Sequence, residues 1–593
     1  MMKKFLLVVC GSFVGVWLAL ILMCITSIIF SFAVIGMGAS KSANVTDKTL
    51  LCIDLSGGID ERSGSTPVDM MAILNSDFEQ TPSLNVLLDA IEKAKENDDI
   101  KGIVIDCNGC GAGAATATTL RNALNSFKSS GKFIYAYGDN YSQTDYYIAS
   151  VADSLFLNPV GSVDLHGLAS VTPYFKKLLD KAGIEMQVVR VGAFKSAVEP
   201  YLVDTMSEAN RLQQEHYLGS IWKSMSDSMA ISRKMNATEL NGIVDGVLAV
   251  AAADTLVKFR IVDKLCYRTE FEDNLKQKLD IEDDEDLNMV CPSDIADDQE
   301  TVSSGNKIAV LYAVGEIDAQ AGPVGGSTGI NSEEIVETIQ ELIDDDDVKG
   351  LVLRVNSPGG SAFGSEQMWK AVEDFKKSGK PVAVSMGDYA ASGGYYMSCG
   401  AQRIFAEPTT ITGSIGIFGV IPCAETLIHD KLGVNYGIVK THENADMGAM
   451  LKRLTPAQTA AMQQTVNDGY ELFTRRCADG RHLSQDSIKS IAQGRVWDAC
   501  SAKSIGLVDE LGNLESAVKW VAGKAKLKDG DYTTMNCPSL HSDWRNMFGA
   551  YMMDMYESRL ARDMGFMYEY HKQLLRIMGR ERVLCLMEQS EIE

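Results

Sequence analysis

"DDVKGLVLRVNSPGGSA", Asp346 to Ala362, starts with acidic residues, passes through an apolar run from Gly350 to Val355 and ends in a Pro-Gly turn. A short apolar run bounded by turn signals reads as a buried strand feeding a loop. The same plan occurs earlier as "DDIKGIVIDCNGCGAG", Asp98 to Gly113, with Lys101 in the place of Lys349. Working outward, "YGDNYSQTDYYIASVADSLFLNP" from Tyr137 matches "MGDYAASGGYYMSCGAQRIFAEP" from Met386, and "IVDKL" at Ile261 echoes "LVDEL" at Leu507. Three matches in one order at a nearly constant offset mark a tandem duplication. In the second copy Ile308–Tyr312 and Gly350–Val355 read as strands, and Ser332–Ile343 and Gln367–Lys377 as amphipathic helices. Such alternation predicts α/β architecture: βαβ units around mostly parallel sheets, once per copy.

A chain of 593 residues exceeds what one hydrophobic core supports. The expected organisation is a start and transmembrane anchor at 1–40, a first repeat at 41–281, an acidic linker at 282–304, a second repeat at 305–530, and a helical tail at 531–593 that carries Met, Tyr and Arg. The anchor rests on Phe5 to Met37, which contains no charged residue and is longer than the roughly 20 residues needed to cross a bilayer. Lys3 and Lys4 precede it, so the N-terminus is expected in the cytoplasm and the remainder outside, at the inner (plasma) membrane. The net charge of −24 argues against nucleic acid as a partner, because phosphates are repelled and no basic stripe offsets the charge. Thirteen cysteines are an odd number and make no disulfide framework. Cys107 and Cys110 have CxxC spacing, but no second such pair completes a zinc site, and they read as incidental or structural thiols.

The copies differ where chemistry would sit. "ASGGYY" places Ser392 after a strand-like run and before two glycines, at a corner suited either to a nucleophile or to a Gly-rich helix start. Its counterpart in the first copy is Gln143. A serine hydroxyl needs a base. None of the seven histidines sits in a triad motif, and His442, the best placed, reads as a surface residue. Lys195, in "VGAFKSAVEPY", can serve if burial depresses its pKa, and is otherwise a solvated lysine; its counterpart in the second copy is Ala445. Gly359 and Gly360 in "NSPGG" can turn backbone N–H groups toward a developing oxyanion, or simply form a turn, and the Gly393 N–H is a further donor. No metal or organic cofactor is implied.

"GAFKSAVEPY", "NSPGGSA", "ASGGYY", "TGSIGIFG" and "GRVWDACSAKSIGLVDELG" together resemble the signal peptide peptidase A family in its long form, and the resemblance covers nearly the whole chain after the anchor. The resemblance implies two fused crotonase-like, ClpP-like domains and a Ser-Lys dyad of Ser392 as nucleophile and Lys195 as general base. It also implies a membrane-tethered homotetramer that degrades signal peptide remnants. Ser414 in "TGSIGIFG" either orients the lysine amine or is a turn serine. The family's "GRVWTG" stands here as Gly494 to Ala499 with Asp498 in place of the threonine, in a segment expected to be structural. The competing functions are a crotonase-type acyl-CoA enzyme, which would need no nucleophilic serine, and a catalytically silent membrane scaffold.

Overall fold

The computed structural model describes residues 45–62, 83–246, 248–296, 305–318, 329–538, 583–587 and 591–592, with isolated positions at 23, 559, 562, 564, 565 and 568. Apart from Met23, the anchor expected over Phe5–Met37 lies outside the described residues, as do 297–304 of the linker and most of 539–582. Among the described residues no helix is long and apolar enough to cross a membrane.

The duplication is visible as two sheets with one strand order. In the first half the order is Lys264–Leu265, Ser154–Leu157, Phe133–Gly138, Ile100–Cys110, Thr49–Gly57, Met289–Val290, all parallel. The second half repeats it as Glu510–Leu511, Arg403–Ala406, Val382–Ala391, Val348–Ser357, Lys307–Val314, Thr533–Cys537, again parallel. Parallel sheets are covered by helices on both faces, so their strands read as continuous apolar runs. Leu351, Val352, Leu353 and Val355 accordingly all lie inside. The helices begin where side chains can satisfy their first amides. Asn331 accepts from Glu333 and Glu334 N–H at the start of Ser332–Asp344, and Ser361 accepts from Gly364 N–H at the start of Ala362–Lys377.

The linker and the tail carry strands that were not expected there, while Arg559, Arg562, Met564 and Tyr568 of the tail are helical. Within 282–304, Met289–Val290 extends the first sheet beside Leu50–Leu51. In the tail, Thr533–Cys537 extends the second sheet beside Lys307–Leu311, and Val583–Leu586 and Glu591–Ile592 are also strands. Both sheets end in an open parallel edge, and the chain that follows each repeat closes it, which periodicity within the tail alone does not reveal.

The halves are bonded into each other. Helix Ala114–Lys128 begins at Gly113, which has no side chain to cap it, and Asp388 of the second half does so: its carboxylate accepts from Ala115 N–H (2.8 Å), Thr116 N–H (3.0 Å) and Thr116 Oγ1 (2.7 Å). A Cβ at Gly113 would collide with that carboxylate. Arg354, 2% exposed, is paired with Glu61 of the first half through two N–O contacts of 2.9 and 3.0 Å. A third sheet crosses the boundary, with Glu185–Arg190 antiparallel to Phe418–Cys423. That strand delivers the chain toward Lys195.

Candidate active site

Ser392 stands at the turn from strand Val382–Ala391 into helix Gly393–Ser398, with φ 55° and ψ −111°. A residue with a Cβ rarely adopts positive φ, and such strain is held only where surrounding bonds fix it. Ser392 N–H donates to the Gly413 carbonyl (2.8 Å), and the Ser392 carbonyl accepts from Tyr396 N–H (2.8 Å). The second of the two glycines that follow is sterically required: a Cβ at Gly394 would stand 2.7 Å from the Ser357 carbonyl oxygen.

Lys195 comes from the other half and is 1% exposed. Its Nζ lies 2.9 Å from Ser392 Oγ, 3.1 Å from Ser414 Oγ and 3.3 Å from the Ser414 carbonyl oxygen. Burial pushes its pKa down from the ordinary lysine value to about 7, with Cys585 nearby acting weakly the other way. Removing an ammonium from water disfavours the charged form, so near neutral pH a large share of this amine is free to take a proton.

Several contacts fix the lysine. Arg190 Nη1 donates to the Lys195 carbonyl (3.0 Å), and Phe194 N–H donates to the Gln493 carbonyl (3.0 Å). Gln213 bridges the halves: its Nε2 donates to Ser196 Oγ (2.9 Å) while its Oε1 accepts from Val496 N–H (3.1 Å). Gly494 lies directly against the lysine backbone, where a Cβ would stand 2.7 Å from Lys195 Cβ, and its own φ is +78°. Arg495 places its guanidinium over Trp497 (4.0 Å to the ring centroid) and Phe194 (5.1 Å). The "GRVW" segment is therefore the wall behind the lysine. Gln213, on helix Glu208–Ser232 and 283 positions from Val496, carries no local signal of this role.

The glycine loop lies beside the serine. Gly359 and Gly360 have φ of +106° and +153°. Gly359 N–H turns inward to Ser357 Oγ (3.2 Å), and the Gly359 carbonyl accepts from Ile317 N–H (2.9 Å). A Cβ on Gly359 would come within 2.8 Å of the Gly393 amide nitrogen, so the loop and the start of the helix adjoin. The Gly393 N–H belongs to the first helical residue, which has no intrahelical acceptor.

The corresponding corner of the first half is tied off. Gln143 Oε1 accepts from His166 N–H (3.1 Å) and Gly167 N–H (2.9 Å), and the Asp145 carboxylate accepts from Gly109 N–H (3.1 Å) and Cys110 N–H (3.0 Å). His442 is exposed and pairs with Thr441. Cys107 and Cys110 are free thiols, both buried.

The model of peptidase family S49 matches the chain twice, over residues 126–282 and 374–528. The chain belongs to peptidase family S49. It is 37% identical over 517 residues to "Protease 4" of Salmonella typhi, covering 83% of this chain and 81% of that protein. It is 35% identical over 525 residues to "Protease 4" of Haemophilus influenzae, covering 85% and 82%. "Serine protease SPPA, chloroplastic" of Arabidopsis thaliana is 30% identical over 464 residues, covering 77% and 67%. The S49 chain described here is thus a serine peptidase, and each of its two family matches falls in one copy of the duplication.

Proposed function

We propose that this S49 peptidase works through a Ser-Lys dyad assembled across its two repeats, with Ser392 as nucleophile and Lys195 as general base. The observation that carries the reading is the 2.9 Å approach of Lys195 Nζ to Ser392 Oγ, both residues being buried. Neutral Lys195 accepts the Ser392 hydroxyl proton as Oγ attacks a peptide carbonyl. It returns that proton to the departing amine, and water then hydrolyses the acyl-enzyme. Ser414 supplies two oxygens that hold Nζ in position. Gly360 and Gly393 N–H groups stabilise the oxyanion, and Gly359 shapes their loop.

The substrate class that fits is the signal peptide remnant, with Phe5–Met37 anchoring the catalytic repeats on the outer side of the inner membrane and the chains assembling as a homotetramer. The uncharged length of that segment and the resemblance of the motifs support the reading. Replacing Ser392 or Lys195 by Ala tests the dyad: each variant is expected to lose peptide hydrolysis while keeping its fold by circular dichroism. Full activity in Lys195→Ala would refute it. Membrane fractionation with protease accessibility tests the topology, and sedimentation in detergent tests the tetramer.

A further inference from the structure

A buried carboxylate away from the dyad has no basic partner. Glu407 opens the turn between strands Arg403–Ala406 and Ile411–Gly413 and is 3% exposed. The turn closes on itself: Glu407 N–H donates to Thr410 Oγ1 (3.1 Å), and the Glu407 carbonyl accepts from Thr410 N–H (2.9 Å). It is also tied to the first repeat, where Thr409 Oγ1 donates to the Ala114 carbonyl (3.0 Å) and lies 2.9 Å from Thr118 Oγ1. None of these bonds uses the carboxylate. In the first copy the matching place, "FLNP" against "FAEP", holds Asn158, whose amide donates to Asp139 (2.8 Å).

Among the described residues the Glu407 carboxylate hydrogen-bonds to neutral donors alone. Thr119 Oγ1 donates to Oε1 (3.1 Å), and the Asn122 side chain is the other donor. No described Lys, Arg or His pairs with it; Arg354 acts on it from a distance and is itself bound to Glu61. Burial accordingly pushes the carboxyl above the ordinary glutamate value. A buried charge is normally paired or holds a cation, because an isolated one forfeits its hydration.

The carboxylate stands on the wall of a cavity of about 370 Å³ between the repeats, within the range of roughly 300–1,000 Å³ usual for small-molecule sites. One wall is Asn122 of helix Ala114–Lys128 with Ser224 and Ser228 of helix Glu208–Ser232; the other is Pro408 and the start of helix Leu514–Lys524. The remaining polar groups are hydroxyls and amides, so Glu407 carries the one formal charge of the lining. Asn513 Oδ1 accepts from Ser516 N–H and Ser516 Oγ (both 3.0 Å), which caps the first turn of helix Leu514–Lys524 from within. Asn122 and Leu511, at the edge of the cavity, are exposed, so a ligand can enter from solvent.

We infer that this cavity binds a small primary amine, with its ammonium on the Glu407 carboxylate and its carbon chain along Pro408 and Leu511. An ammonium has three donors and no acceptor. One donor meets Glu407, and hydroxyl and amide oxygens of the lining, Ser224 Oγ among them, accept the others. A single carboxylate balances a single ammonium, whereas a calcium ion draws on roughly six to eight oxygens with several carboxylates or carbonyls among them. The net charge of −24 favours the approach of cations.

Calorimetric titration of the full chain in detergent with cadaverine, at fixed ionic strength, tests the site, and the diol of the same chain length serves as the uncharged counterpart. Cadaverine is expected to bind saturably and the diol not to bind. Glu407→Gln, which keeps the shape and removes the charge, should weaken cadaverine by about tenfold or more, the loss of one charged hydrogen bond. Ser224→Leu, which fills the cavity and keeps the acid, should weaken it too; circular dichroism checks that each variant is folded, and either one alone decides the point. Absence of saturable binding to the wild type overturns the inference. So does equal binding of the diol, which would make the cavity a polyol site, and so does unchanged affinity in either folded variant. Heat reproduced by sodium chloride alone marks general screening of the acidic surface and overturns it as well.

Discussion

Lys195 and Ser392 are 197 positions apart in the chain and 2.9 Å apart in space. Each repeat carries one of them and lacks the other, since Gln143 stands where Ser392 would be and Ala445 where Lys195 would be. The composite site is expected to be complete within one chain. Mixing Ser392→Ala chains with Lys195→Ala chains should therefore restore no peptide hydrolysis, and recovery in the mixture would place the dyad between subunits.

Lys195 should cost the fold stability while it serves the site. Its folded pKa, about 7, lies below the unfolded value near 10.5, so the unfolded chain binds more protons between those values. Stability therefore rises with pH from about 7 toward 10.5, and the cost is fully present below 7. Lys195→Met should be inactive yet more stable at neutral pH, by on the order of 2–4 kcal/mol, and should flatten that rise. Denaturant unfolding at several pH values measures it, and a destabilised Lys195→Met would contradict the burial account.

Gly494→Ala forces a side chain toward the Lys195 backbone at a positive φ. A displacement of about 1 Å at a reacting group can cost roughly 100-fold in rate. The expected effect is a fall in kcat of that order with KM little changed, read by steady-state kinetics on a peptide.

The buried Arg354–Glu61 pair ties the repeats together. Removing one partner of a buried pair leaves an uncompensated charge, worth about 3–5 kcal/mol. Glu61→Ala should lower stability on that scale, while the double change Glu61→Leu with Arg354→Met should recover most of it, as measured by denaturant midpoints.

The duplication, the βαβ alternation and the Ser392 corner were legible because they depend on short windows: apolar runs, caps and glycine pairs. Lys195 was legible as half of a site through the difference between the copies. The Gln213 bond to Val496, the Asp388 cap on helix Ala114–Lys128 and the Glu185–Arg190 to Phe418–Cys423 pairing were not, because each joins segments hundreds of positions apart and no local pattern records a distant partner. The strands of the tail were not legible either, because Thr533–Cys537 and Val583–Leu586 take their form from the sheet edges they extend, while Arg559, Arg562, Met564 and Tyr568 of the tail are helical.

The most direct test of the account is the pH dependence of Ser392 acylation by a fluorophosphonate, measured by peptide mass in the wild type and in Lys195→Ala. If a neutral Lys195 takes the Ser392 proton, the wild-type rate should be low in acid, rise through a midpoint near pH 7, where burial places the lysine pKa, and level off above it. In Lys195→Ala the rate should fall at least 100-fold and lose that midpoint. An unchanged rate and midpoint in Lys195→Ala would contradict the role assigned to the lysine.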